Sequence, residues 1–331
     1  ACVDNDTVVA YNYSPARVPR ALINRCRQTI QYARFHDRNA LSGTQSQPPT
    51  SPHTHQPVRQ ALYLKLTNQD LIRSITSEWK GERDRNGRPI VDDGIIKRME
   101  KVTSEEAWGT LRRNGYHHNF AGDFHILHPE RTLVGRAVTC RFVPTRPDLN
   151  NAIERTGESD GRVGGQNSWV IDELVEDDVI VVDLFGKIFD GTFAGDNLSS
   201  AIRVSTKRGM VIDGGLRDTQ RIYEMDGFNA FIRGMDPSAI NDVSMPDING
   251  VIRIGVATCV PGDVVLGTME GVMFIPPHLA EEVVVSSENV RLRDEFGQQR
   301  IAEGVYTAGE VDRVYSEEME CDYNQWVTNR K

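Results

Sequence analysis

The chain has 331 residues, of which 39% are hydrophobic and 26% are charged, as in a globular protein that can bury a large core. No apolar run approaches the roughly 18 residues that a membrane helix needs, so we expect no membrane partner. The formal net charge of −9 argues against nucleic-acid binding, because a surface that holds phosphates is expected to be basic.

Five cysteines are scattered through the chain, and none forms a Cys-x-x-Cys pair, which argues against a zinc site. An odd and widely spaced set of cysteines favours a reducing compartment, so we expect a cytoplasmic protein. The chain begins at Ala1 rather than at methionine, which leaves a processed N-terminus open.

The composition divides the chain into four predicted parts. Residues 1–60 contain "SGTQSQPPTSPHTHQP", which has no apolar period and predicts an extended or flexible extension. Residues 61–132 carry helical patterns and predict a helical flank. Residues 133–285 alternate strands with helices and predict a mixed α/β core. Residues 286–331 predict a second, C-terminal helical flank.

The N-terminal helical flank contains recognisable helix ends. Thr67 precedes an apolar-periodic segment and is a candidate N-cap. Thr103 and Glu106 have the spacing of a capping box, in which each side chain bonds the other residue's backbone N–H. Gly115 is placed to end the helix that this box begins.

The core begins with strand patterns. "LVGRAVTCRFVP", from Leu133, alternates and is rich in β-branched residues, and the apolar run Val179–Val182 predicts a buried strand. "NLSSAIRVSTKRG" predicts a helix that ends at Gly209, and "GMVIDGG" predicts the strand after it.

Two glycines and two charged residues, in "GMVIDGGLRD", follow this last strand. We expect Gly214 and Gly215 to adopt positive φ and to let the backbone pass close to a ligand. Arg217 offers a planar cationic fork and Asp218 offers hard oxygens that suit Mg²⁺ or Mn²⁺. Ligands collect at the carboxyl ends of strands in open α/β folds, which makes this turn a candidate site. A plain turn with a surface salt bridge explains the same residues.

The segment from Gly195 to Leu198 lies at the predicted start of a helix. Free backbone N–H groups at such a start attract a carboxylate or a phosphate, so Gly195, Asp196, Asn197 and Leu198 are candidate substrate-binding residues. Asp196 can instead be a helix cap. An anion-binding helix start, a guanidinium and a metal-binding carboxylate together suit an α-keto acid that reacts through an enolate.

A pair of histidines, His125 and His128, has a spacing that places two metal ligands on one helical face. Pro129 follows directly and Gly122 precedes them, which favours a loop over a helix and argues against a metal site there.

These segments, in their order, resemble the RraA-like family, which includes regulator of ribonuclease activity A and the class II pyruvate aldolases such as 4-hydroxy-4-methyl-2-oxoglutarate aldolase. The resemblance runs from Leu133 to Val285 and rests on "LVGRAVT", "DVIVVDLFG", "GDNLSSAI", "GMVIDGGLRD" and "RIGVATCVPGDVVLGTMEGVMFIP". It implies a swivelling β/β/α-type core and a homotrimer or hexamer with sites between subunits.

The resemblance also implies roles for individual residues. Asp218 matches the aspartate that binds a divalent metal, Mg²⁺ or Mn²⁺, and Arg217 matches the arginine that contacts the keto-acid substrate and stabilises its enolate. The backbone amides of Gly195–Leu198 match the turn that holds the substrate carboxylate. The chain departs from the aldolase pattern at Arg221, where an acidic residue is expected three places after the metal-binding aspartate.

We therefore predict a metal-dependent lyase, an aldolase or oxaloacetate-type decarboxylase, that acts on a small α-keto acid or sugar-acid derivative. Arg217 and Asp218 are its predicted catalytic residues. One alternative is a non-catalytic regulator that binds other proteins, which Arg221 and the acidic charge favour. A second alternative is a sugar-acid dehydratase that uses the same site.

Overall fold

The structure is a computed structural model, and it describes residues 64–330. The predicted N-terminal extension, residues 1–60, lies outside the described residues. Among the described residues, no helix is both long enough and apolar enough to cross a membrane.

The described part of the chain begins with three short helices: α1 (Gln69–Ile75), α2 (Asp93–Met99) and α3 (Ser104–Arg113). The cap of α1 is Asn68, whose side chain accepts from the Leu71 N–H, so the prediction of Thr67 was wrong by one residue. The Thr103–Glu106 capping box of α3 is confirmed.

The centre of the fold is a nine-stranded mixed sheet in the order β1-β11-β10-β3-β4-β5-β6-β2, with β7 paired to β3. The neighbours from β3 to β6 run parallel, and the other pairs in the sheet are antiparallel. A separate hairpin is formed by β8 and β9. The strands are β1 (Phe120–Ala121), β2 (His125–Ile126), β3 (Leu133–Pro144), β4 (Asp178–Thr192), β5 (Gly209–Leu216), β6 (Asn229–Met235), β7 (Val243–Ile248), β8 (Ile252–Ile254), β9 (Ala257–Cys259), β10 (Val264–Thr268) and β11 (Gly271–Ile275).

Helices connect the parallel strands, as parallel pairing requires. They are α4 (Pro147–Ser159), α5 (Gln166–Ile171), α6 (Asp196–Thr206) and α7 (Thr219–Tyr223). Helix α6 ends at Lys207, in a left-handed conformation with φ of 58°, and not at Gly209 as predicted. Gly209 instead begins β5, where a side chain would collide with the backbone of Asn229 on β6.

The chain ends in three further helices, α8 (Ala280–Ala302), α9 (Ala308–Val311) and α10 (Glu317–Asn329). The first half of helix α8 buries Val283 and Val284 in a hydrophobic cluster with α2, α3 and the strands β10 and β11, and its second half packs with α10 around Phe296 and Trp326. The fold is therefore mixed α/β with a helical C-terminal region, as predicted. The four-part division of the chain stays a prediction.

Candidate functional site

The two glycines near the end of β5 let the neighbouring strand come close. A side chain on Gly214 would lie 2.8 Å from the Leu184 side chain, and one on Gly215 would lie 2.9 Å from the Ile188 carbonyl oxygen. Both contacts come from β4, whose register against β5 shifts at this level. Neither glycine has the predicted positive φ, and that conformation falls instead on Asp218, with φ of 55°.

The Arg217–Asp218 turn is fastened to the segment that leads into α6. The Arg217 N–H donates to the Ala194 carbonyl oxygen at 3.2 Å. The Asp218 carboxylate lies 3.7 Å from Arg217 Nε and 3.4 Å from the Asp196 N–H. The arginine and aspartate side chains are 42% and 44% exposed, so a ligand can reach both of them.

Gly195 is the contact point between this turn and the start of α6. A Cβ atom at Gly195 would lie 2.5 Å from Asp218 Oδ2 and 2.8 Å from Arg217 Nε, closer than real Cβ contacts allow. The predicted catalytic pair and the predicted anion-binding helix start therefore meet in space, and the absence of a side chain at Gly195 permits it.

The amides at the start of α6 are partly engaged already. The Asp196 N–H is directed at Asp218, and the Asn197 N–H donates to the side chain of Asp196 at 2.9 Å. Within residues 64–330, the Leu198 N–H has no hydrogen-bond acceptor. Within the same residues the Gly195 N–H also has no acceptor, so this helix start offers two free amides, at Gly195 and Leu198, rather than the full row that the sequence predicts.

Arg221, which replaces the expected acidic residue, reaches back across the site. Its Nη1 donates to Asp196 Oδ2 at 2.8 Å. This hydrogen bond lowers the pKa of Asp196 below its ordinary value and raises the pKa of Arg221. The arginine is 77% exposed, and screening by water makes such a surface pair weak. Asp196 is consequently a partner of Arg221 rather than a free carboxylate.

An open cavity of about 450 Å³ lies beside the Arg217–Asp218 turn. One wall is formed by that turn and the first residues of α7. The opposite wall is formed by Met235, Asp236 and Pro237, where β6 ends. The sequence analysis missed this second wall, although "NAFIRGM" indicates a strand whose carboxyl end would lie beside the carboxyl end of β5.

The two histidines considered as metal ligands have different surroundings in the structure. His125 is exposed on β2, whereas His128 is buried and stacks on Tyr223 of α7 with ring centroids 4.4 Å apart. His128 Nε2 lies 3.0 Å from the Tyr223 carbonyl oxygen, so this ring supports the end of α7. Among residues 64–330, no group of three or more His, Cys, Asp or Glu side chains is arranged to hold a metal ion.

The fold and this turn define a mixed α/β protein whose charged site lies at the carboxyl end of a parallel strand. The family model described as "RraA-like: Aldolase/RraA" matches residues 103–274, which is half of the chain. The chain belongs to the RraA-like family.

A relative from Halalkalibacterium halodurans, named "Putative 4-hydroxy-4-methyl-2-oxoglutarate aldolase", is 28% identical over 184 residues, which cover 52% of this chain and 85% of the relative. Two solved structures share the fold. Streptomyces coelicolor RraAS2, described as an unusual member of the RNase ES inhibitor RraA family, has a TM-score of 0.53 at 22% identity and covers 66% of this chain and all of its own. An uncharacterized protein from Pseudomonas syringae has a TM-score of 0.56 at 20% identity and covers 70% of this chain and 98% of its own.

Proposed function

We propose that this protein is a divalent-metal-dependent carbon–carbon lyase that cleaves or decarboxylates a small α-keto acid through an enolate. The observation that carries the proposal is the packing of Arg217 and Asp218 against Gly195. This packing brings the Arg217 guanidinium, the Asp218 carboxylate and the start of α6 into contact with one another. The aldolase name of the bacterial relative supports the same reaction class.

Asp218 is the residue that would hold Mg²⁺ or Mn²⁺. Within residues 64–330, its carboxylate has only the long 3.4 Å approach from the Asp196 N–H and the 3.7 Å ion pair with Arg217, so its oxygens can accept a cation. Mg²⁺ is commonly bound by one or two carboxylates and keeps several of its waters, which the open cavity accommodates. When bound, the metal supplies Lewis-acid stabilisation of negative charge on the keto oxygen.

Arg217 would supply the second positive charge that stabilises the enolate. In aldol cleavage of a 4-hydroxy-2-oxo acid, the bond between C3 and C4 breaks and its electron pair forms the enolate of pyruvate. The 4-hydroxyl group loses its proton to solvent and becomes a carbonyl, and C3 then takes a proton from solvent. The guanidinium of Arg217 stabilises the enolate oxygen, and the free Leu198 N–H orients the substrate carboxylate.

The test is a coupled pyruvate assay with Mg²⁺ or Mn²⁺ over a panel of 4-hydroxy-2-oxo acids and oxaloacetate. We expect Asp218→Asn and Arg217→Met each to reduce kcat/KM by about 100-fold or more, because each removes a charge that acts at the reacting centre. Asp172→Asn, at an exposed aspartate of the C-cap of α5, is the matched control and should retain activity. Absence of turnover with every substrate, or full activity of Asp218→Asn, would contradict the proposal. Water loss from a sugar acid without pyruvate release would assign the dehydratase alternative.

A second candidate function is protein binding without catalysis, and the Arg221–Asp196 pair favours it. Arg221 is a cation at the position where the aldolase pattern has an acidic residue, and it pairs with the Asp196 carboxylate. A stable protein partner captured equally by wild type and Asp218→Asn, together with no Mg²⁺ binding in calorimetry, would support this function over the lyase.

The homotrimer or hexamer that the family resemblance implies is part of the same proposal. Light scattering coupled to size exclusion would measure the mass of the assembly against the 37.1 kDa chain. A monomer that retains full activity would show that the site is complete within one subunit.

A further inference from the structure

A second cavity, of about 340 Å³, lies at the other end of the central sheet. It is lined from α1, from the segment after α3, and from the turns before β10 and after β11. Asp263 forms part of its floor and lies beside the start of β3, because the Ala137 N–H donates to the Asp263 carbonyl oxygen. Arg217 follows the last residue of β5. The two cavities share no lining residue.

The floor of this cavity carries a buried carboxylate with little support. Asp263 is 4% exposed, and its Oδ2 accepts from the Val260 N–H at 2.8 Å. Within residues 64–330, no other group hydrogen-bonds to this carboxylate, and no arginine or lysine forms an ion pair with it. Arg88 and Arg136, two buried cations on neighbouring segments, are already paired with other carboxylates: Arg88 with Asp84 and Asp178, and Arg136 with Asp93. A buried carboxylate normally has a cationic partner or several hydrogen-bond donors. Among the described residues, Asp263 has neither.

The walls are aromatic and the mouth carries a second carboxylate. Trp79 and Tyr116 line the cavity, and Tyr116 Oη lies 3.2 Å from His278 Nε2. Glu78 lines the opening. None of the described lining residues is an arginine or a lysine. Two carboxylates and two aromatic rings attract a cation, through charge and through the negative faces of the rings.

We propose that this cavity is a binding site for a small organic amine, whose ammonium group pairs with Asp263 and whose alkyl chain packs between Trp79 and Tyr116. Its volume lies in the range of small-molecule sites, about 300–1,000 Å³. Within the described residues, an ammonium group would supply the counter-charge that Asp263 lacks. The proposal is independent of the lyase reaction.

Ligand binding at this floor is coupled to protonation. Burial raises the pKa of Asp263 to about 7, whereas the Val260 hydrogen bond acts in the opposite direction. An amine that pairs with the carboxylate therefore displaces a proton below pH 7. From pH 6 to pH 8 the ionised fraction of Asp263 rises from about one tenth to about nine tenths, so the apparent affinity rises by about tenfold. The other titratable groups that line the cavity or lie behind its floor are Glu78, Tyr116, His117, His118, His278 and Cys259.

The test is isothermal titration of the full chain with n-butylamine and with its neutral isostere n-butanol, at pH 6 and pH 8. We expect the amine to bind about tenfold more tightly at pH 8, and we expect no binding of butanol. Titration at pH 6 in two buffers of different ionisation enthalpy should show close to one proton released for each amine bound.

Asp263→Asn is the decisive variant, because asparagine keeps an oxygen that can accept from the Val260 N–H. It should weaken amine binding by at least tenfold and abolish the proton release, which separates Asp263 from the three histidines. Trp79→Leu, which removes a wall without touching the charge, should weaken binding several-fold and keep the proton release. Asp172→Asn is again the control. Equal binding of amine and alcohol, or unchanged amine binding in Asp263→Asn, would overturn the proposal.

Discussion

Gly195→Ala is the substitution that tests the site most directly. The new methyl group would lie 2.5 Å from Asp218 Oδ2 and 2.8 Å from Arg217 Nε, so both side chains must move by about 1 Å to reach ordinary van der Waals distance. A displacement of this size at reacting groups costs about 100-fold in rate. We therefore expect kcat/KM for pyruvate release to fall by about two orders of magnitude.

The same substitution should leave the fold almost unchanged. Gly195 has φ of −114° and ψ of −164°, an extended conformation that alanine adopts readily. Both displaced side chains are partly exposed and can rotate into solvent, so the free energy of unfolding should change by less than about 1 kcal/mol.

The assay combines pyruvate release, calorimetric titration with oxalate in the presence of Mg²⁺, and urea denaturation. Gly309→Ala, at an exposed helical glycine with no atom near the added methyl group, is the matched control. Unchanged activity and oxalate binding in Gly195→Ala would refute the placement of Arg217 and Asp218 at one site. If the free energy of unfolding fell by as much as the activation free energy for pyruvate release rose, Gly195 would have only a structural role.

Three further predictions concern charge. Arg88→Met should cost about 3–5 kcal/mol in urea denaturation, because it leaves the fully buried Asp178, bonded at 2.7 Å, without its cation; a cost below 1 kcal/mol would contradict this. Asp263→Asn should flatten the pH dependence of stability, because the raised pKa of Asp263 means that the folded wild type binds more protons than the unfolded chain. The free energy of unfolding of the wild type should therefore fall by about 4 kcal/mol relative to this variant as pH rises from about 4 to about 7, and no further above pH 7. Parallel stability curves of the two proteins would refute this prediction. Arg221→Glu should free Asp196 and tighten Mg²⁺ binding by about tenfold in calorimetry, whereas unchanged affinity would show that the Arg221 pair does not compete with the metal.

Local signals in the sequence predicted the elements that position the site. The capping box at Thr103 satisfies backbone groups within one turn of helix, which is why its spacing alone identifies it. The β-branched run from Leu133 and the apolar run at Val179–Val182 indicate strands because burial on both faces requires apolar residues in succession. The order of these segments was sufficient to predict the RraA-like family.

The wrong predictions about glycines share a physical reason. Gly209, Gly214 and Gly215 carry no side chain because a neighbouring strand approaches them closely, and that approach involves residues far away in the chain. The sequence analysis assigned these glycines to a helix end and to positive φ, which are local explanations. The left-handed conformation falls on Asp218 instead, where the chain turns from β5 into α7.

The sequence by itself determined the class of fold and the pair of charged residues at the end of β5, because both depend on short-range patterns of burial and turn chemistry, and it determined the family through its resemblance to known members. Only the tertiary structure decided that Gly195 lies against Arg217 and Asp218, that Arg221 occupies the carboxylate of Asp196, and that Asp263 faces a cavity without a partner among the described residues. The first two contacts join segments more than 20 residues apart, and all three arrangements depend on how the strands pair and the helices pack.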